Sequence, residues 1–346
     1  MLKTLRDREG EVFDKIYIFD LARGLASCLL VFHHYFFHCK PHGLFPAIAG
    51  TSIFYFISGF VMPMSLERSS IKSFLIKRFF RLYPTILFCL GILLFFTSFL
   101  KDERMIKGIP ITLNNIFMNL VFLPHLNPNN NNVIHSYLFI TTSWTICVDF
   151  TFYFLLILTY KFCKQPKRRI NFIVILLYLL IFFTKILHHK FNIFGTMLAV
   201  LHFLLPYVFG MTLFYYEKGF IKKQHFIIIS ICLFTPLFFH NKLCKYVIGC
   251  LLMLYLFVYH RSVGNNSIVK FFAHISYPMF LMHSIVPMFI WHNATVCLSK
   301  NISGYYFFIL YPAMIPVCYF VYKYIEKPCY DFGKKLAKNI DNKAKL

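Results

Sequence analysis

Residues 16–37 read IYIFDLARGLASCLLVFHHYFF, and how this stretch is read decides the fold. It is apolar enough and long enough to cross a bilayer, since about 20 such residues span the hydrocarbon core. Yet it carries Asp20, Arg23, His33 and His34. An ionised side chain in lipid costs roughly 2.5–3.5 kcal/mol on insertion scales, so polar residues at that depth face protein or water and carry function. Arg23 and His34 are eleven positions apart. At about 100° per residue they fall within about 20° of one face, some 16 Å apart along the axis. His33 is turned about 100° away from His34. One helix therefore offers a cation at one depth and an imidazole at another.

The rest of the composition agrees with a membrane protein. Of 346 residues, 58% are hydrophobic and only 14% charged, where a soluble domain carries about 25%. Phe contributes 45 residues, which suits lipid-facing helices. The first fifteen residues are charged and lack a small-residue cleavage site, so the first apolar stretch is expected to be a retained helix. Ten spans are expected, at roughly 16–37, 45–65, 82–100, 137–160, 170–187, 195–216, 225–240, 243–260, 277–296 and 304–325, followed by a basic tail over 326–346. The expected architecture is thus all-α and polytopic, one domain over 1–346.

The net charge of +23 follows the same layout. With the N-terminus inside, 27 of the 36 Lys and Arg fall on inner segments or inner helix ends. That is the positive-inside bias, with both termini cytoplasmic, and it argues against a nucleic-acid partner. The eleven cysteines form no CxxC pair and sit mostly in apolar spans. There a thiol serves as a small apolar side chain, and neither disulfide nor metal is assigned to them.

Along the chain, FYFISGF places Ser58 and Gly59 in the second span, where small residues permit close helix packing. The alternative is close passage of a backbone or a thin ligand. Lys77, Arg78 and Arg81 cluster where the third span leaves the inner side. Arg78 and Arg81 share a face, and paired guanidiniums suit a phosphate, or else anchor to acidic headgroups. Pro84 is expected in that helix's first turn. The longest outer segment, 101–136, contains NPNNNN at 127–132, expected to be mobile, and ITLNNIFMNLVFL, which suits a surface helix.

Span four opens with TTSWTICVDFTFYF, in which Thr141, Thr142 or Ser143 can cap the start. Asp149 needs a partner inside the membrane, and His34 or an arginine is the natural one. Spans five to eight read as scaffold. His283, about seven residues into span nine, is expected at the depth of Arg23, lining one inner cavity or packed as a core histidine. Glu326 is expected against the inner basic cluster, with the Lys-rich end solvated or facing lipid.

Together these segments resemble the membrane-bound acyltransferase 3 family of bacterial O-acyltransferases. FDLARGLA, with Arg23 and His34, resembles its Arg/Lys-x10-His motif, FYFISGF its SGF segment, and IKRFFRLYP its RxxRxxP-like element. SWTICVDFTFYF, with Trp144 and Tyr153 in register, ISYPMFLMH and YIEKP resemble three more motifs in the family's order. Asp149 stands where the family usually has Glu, and Phe280 where it usually has Tyr. A hydrolase-like domain that some members append is not expected, so acceptor choice is expected to lie in the membrane domain and its loops.

The resemblance implies transfer of an acyl group, acetyl first among them, from acyl-CoA (acetyl-CoA) to a hydroxyl of a cell-surface glycan, such as lipopolysaccharide or capsule, in the bacterial cytoplasmic (inner) membrane. Arg78, Arg81 and Arg23 would hold the donor's phosphates, with the pantetheine arm passing Ser58 and Gly59. His34 would be the general base and Asp149 its orienting carboxylate. Asp20, Trp144, Tyr153, His283 and Glu326 would support the site. An acyl-histidine intermediate is the rival version. A transporter of a glycan or lipid intermediate, or an assembly subunit, are the competing classes. The acceptor sugar, acyl length and oligomeric state are not encoded legibly.

Overall fold

The computed structural model describes residues 16–36, 45–100, 111–121, 138–191, 194–238, 244–286 and 306–343. Among these there is no strand. In chain order the helices are α1 Tyr17–Phe36, α2 Phe45–Glu67, α3 Ile71–Leu100, α4 Leu113–Val121, α5 Trp144–Phe162, α6 Pro166–Phe191, α7 Gly195–Glu217, α8 Lys223–Phe238, α9 Cys244–Tyr259, α10 Ser267–Met282, α11 Tyr306–Val321 and α12 Lys327–Lys343. A π-helical turn, Tyr322–Glu326, joins α11 to α12. Four stretches among the described residues are long and apolar enough by themselves to cross a membrane: Ile71–Phe99, Trp144–Phe162, Pro166–Phe191 and Met197–Glu217.

α7 forms the centre of the bundle. From Leu204 to Tyr215 nearly every residue is buried, whichever way it points, as expected of a helix surrounded by others. α6 instead exposes Ile175, Leu179, Phe182 and Phe183, apolar side chains that suit lipid. The contact between α2 and α7 is very close. A Cβ on Gly59 would run into the Tyr207 carbonyl oxygen, and one on Gly210 into that of Phe56. The two glycines let parallel backbones touch, the small-residue packing that membrane helices use without a hydrophobic drive between them. Phe19, Phe60 and Phe257 then close a ring cluster, with centroids 5.1–5.7 Å apart, between α1, α2 and α9.

α1 and α10 run parallel. Gly24 lies against Phe272 and Ala273, and ten residues further along both helices His34 meets His283. Two helices begin ten or more residues before the sequence expectation, for one reason, while α5 begins at Trp144 rather than 137. α3 begins at Ile71, not 82, and α10 at Ser267, not 277. Hydropathy excludes Lys77, Arg78 and Arg81 from one span and Lys270 and His274 from the other. The hydrogen-bonded helix nevertheless continues through them. Arg78 and Arg81 face a chamber, and Lys77 lies near Asp341 of α12. Lys270 lies over the Tyr17 ring and His274 stacks on Tyr322. Asn266 caps α10, its side chain accepting from the Val269 amide at 2.8 Å. Pro84 consequently lies well inside α3 rather than in its first turn, leaving the Phe80 carbonyl without its i+4 amide.

The basic tail is a docked helix, not a solvated end. α12 packs on α3 through Gly333, which faces the Phe80 ring, and through Phe332, whose ring centroid is 5.3 Å from that of Phe80. The Ser73 hydroxyl lies 2.9 Å from the Ala337 carbonyl oxygen. α4 is the surface helix expected from ITLNNIFMNLVFL, exposing Leu113 and Phe117, and its Leu120 carbonyl accepts from the Tyr83 hydroxyl at 3.1 Å. The tract 127–132 lies outside the described residues.

Candidate active site

Where α1, α2, α3, α5, α7 and α10 converge, they enclose a cavity of about 140 Å³. Arg23, Arg78 and Arg81 line it, with Ser58, Asp149, Tyr153, Tyr207, Ser276 and Tyr277. Six of the residues singled out in the sequence, from four helices, therefore meet at one chamber. Three guanidinium side chains face it and one carboxylate does. Buried guanidiniums need anionic company, and each has a carboxylate nearby: Glu326 by Arg81, Asp149 by Arg78 and Asp20 by Arg23.

Each arginine is held differently. Arg81 pairs with the Glu326 carboxylate, which has no solvent exposure, and its guanidinium also lies 5.1 Å from the Tyr330 ring. The π-helical turn places Glu326: one extra residue per turn rotates it inward while Lys327 remains exposed. Glu326 thus stands against the basic cluster, as the sequence led one to expect. Arg78 lies 5.5 Å from the Phe74 ring and within electrostatic reach of Asp149. Its buried Nε makes no hydrogen bond among the described residues. Arg23 lies in the field of Arg81, Asp20 and Arg78.

Asp149 is placed five residues into α5, about 8 Å along its axis. A 3-10 turn, Thr141–Ser143, precedes the helix. The expected side-chain cap is absent at Ser143, whose hydroxyl donates back to the Ile140 carbonyl. Thr142 instead faces the Ser284 hydroxyl at 3.3 Å. Nor does Asp149 bond to His34. Among the described residues its hydrogen bond comes from the Tyr207 hydroxyl, at 2.5 Å. Tyr207 reaches it because the Gly59 contact draws α7 against α2.

Sequence reasoning missed Tyr207. It sits in an apolar run with no charge beside it, and the one available signal was a tyrosine next to Pro206 in an otherwise hydrophobic helix. Gly59 is correspondingly a packing residue. It is buried beneath the α7 backbone, and Ser58 alone of the pair lines the chamber. Trp144 and Tyr55 complete the wall beside Tyr207: Tyr55 stacks on Tyr207 at 4.7 Å, and Trp144 meets Tyr55 edge-on at 6.4 Å.

The histidines form a second group. His34 is exposed, and its ring lies 5.0 Å from that of the buried His283. His283 does not share the depth of Arg23, because α10 starts ten residues earlier than expected and carries His283 to its far end. Its Nδ1 faces the Met279 carbonyl at 3.3 Å, and its buried Nε2 has no partner among the described residues. Phe280 stands between the groups, lining the chamber on one side and lying 6.0 Å from the His283 ring on the other.

An all-helical membrane protein with a cationic chamber beside a histidine pair defines the class. The chain belongs to the acyltransferase 3 family: the family's acyltransferase domain matches residues 16–323, nearly its whole length. It is a membrane acyltransferase. Comparison with curated proteins and with solved structures gave no match.

Proposed function

We propose that the protein transfers an acyl group, acetyl first among them, from acyl-CoA to a hydroxyl of a cell-surface glycan at the outer face of the bacterial cytoplasmic membrane. The observation that carries this reading is the convergence of Arg23, Arg78 and Arg81 on one chamber whose far wall, Phe280, backs onto His283 and His34. The arginines hold the donor's phosphates, for which guanidinium offers paired donors. The pantetheine arm runs past Ser58 towards Phe280. Asp149, fixed by Tyr207, forms the acidic wall and balances Arg78 rather than orienting His34.

His34 takes the proton from the acceptor hydroxyl as its oxygen attacks the thioester carbonyl. The new C–O bond forms, the C–S bond breaks, and the CoA thiolate leaves with the proton that His34 returns. His283 holds the His34 ring in place. His34 suits this role as a side chain that titrates near neutral pH.

The test is mass spectrometry of surface glycans from a deletion strain, paired with donor-binding calorimetry on purified protein. The expected result is one acyl mass missing per repeat, and weaker acyl-CoA binding by Arg78→Ala and Arg81→Ala. Unchanged glycan masses, with wild-type donor affinity in the double variant, would remove the reading.

A further inference from the structure

The wall between the two groups is built from two rings. Phe280 on α10 and Phe54 on α2 both line the chamber, and their centroids are 5.9 Å apart at 64°. Phe280 is 8% exposed. On its other side it meets His283 at 6.0 Å and 62°, and His283 in turn meets His34 at 5.0 Å. Neither histidine lines the chamber. Ile57 and Ile146 also line the chamber, as do Thr51, Thr145 and Ser276. The cations lie on other helices or on earlier turns.

Acyl transfer needs the carbonyl carbon within about 3–3.5 Å of the attacking oxygen. A donor whose phosphates sit at the arginines presents its acyl end to the Phe54–Phe280 wall, and an oxygen activated by His34 reaches the thioester past the edge of that wall. The acyl group is therefore the part of the donor that must fit against these two rings. From this geometry we infer that Phe280, together with Phe54, sets the length of the acyl group that the enzyme transfers, favouring short chains. The inference rests on the acyl-CoA reading of the chamber. It adds a specificity-determining residue that the arginines and histidines do not supply.

One methylene against a closely fitted apolar wall is worth roughly 10–200-fold in discrimination. The experiment measures transfer from acetyl-CoA and butyryl-CoA to the native acceptor in membranes, at matched protein levels, for wild type, Phe280→Ala, Phe280→Leu and Phe54→Ala. Wild type should prefer acetyl. Phe280→Ala should raise the butyryl-to-acetyl ratio by about tenfold or more. Phe54→Ala should shift it in the same direction. Phe280→Leu keeps much of the bulk and should move the ratio less; it carries the test with Phe54→Ala if Phe280→Ala does not accumulate. An unchanged ratio in active variants overturns the inference and leaves the acyl-CoA reading standing. No transfer from either donor by wild-type protein overturns both.

Discussion

His33 and His34 are neighbours in the chain with different surroundings. The His34 ring lies against His283 and is exposed, whereas His33 is half-buried with its Nδ1 enclosed. In the proposed mechanism His34 serves the donor's acyl end, whereas His33 is turned from it by about 100°. General-base contributions are typically 10²–10⁴-fold, so His34→Ala should bring acyl transfer close to background without unfolding the protein. His33→Ala should keep a substantial fraction of activity. Transfer assays in membranes at matched protein levels decide it, and equal losses would remove His34 from its assigned role. The stripe was legible because helix periodicity alone fixes it. The partner of Asp149 was not, because Tyr207 arrives on another helix whose closeness depends on Gly59 and Gly210 meeting across the bundle. Nothing in the spacing around Asp149 encodes that contact. His283 shows the same limit: its motif was legible, but its depth depended on a helix start set by Asn266.

At the scale of elements, α12 shows how charge conceals packing. Five lysines over 327–343 suggest a solvated end. The small residues Gly333 and Ala337, four apart and both buried, were the readable sign of a docked face. Asp341 fastens the end of that helix. Its Oδ1 accepts from the Ser70 amide at 3.1 Å and from the Ser70 and Ser73 hydroxyls at 2.7 Å each. Slight burial works against ionisation of this carboxyl, but the hydrogen bonds from Ser73 and Ser70 outweigh it and hold its pKa below the ordinary value. A carboxyl depressed by folding stabilises the folded state above its unfolded pKa, about 3.9 for Asp, and loses that contribution as pH falls through the folded value. Docking of α12 should therefore be full at neutral pH and weaken only in strong acid. Protease accessibility of α12 in detergent, measured from pH 7 to pH 3, should rise at the acid end. Asp341→Asn should raise it already at pH 7 and flatten the dependence. An identical pH response in that variant would assign the effect elsewhere.

For the whole molecule, the contacts at helix ends gather on one face. Arg169 at the start of α6 pairs with Glu67 at the end of α2, at 2.5 Å. Arg261 after α9 pairs with Glu217 at the end of α7, at 2.9 Å, and its carbonyl meets the Ile18 amide at the start of α1. Asp341 joins the start of α3. These ends belong alternately to helices arriving at and leaving one side, and that side carries most of the Lys and Arg. We infer from this that it is the cytoplasmic face, with ten helices alternating in direction and both termini inside. α8, α9, α10 and α11 are each described over 16 residues, about 24 Å of helix. Length and hydropathy together identify four spans among the described residues, and the others belong to the inference. An epitope inserted at Asn129 should be reached by antibody on intact spheroplasts. One inserted at Lys164, between α5 and α6, should be reached only after the membrane is permeabilised. If the Lys164 insertion were labelled on intact spheroplasts, the cationic chamber would open away from the cytoplasmic acyl-CoA pool, and the donor assigned to it would have to be replaced.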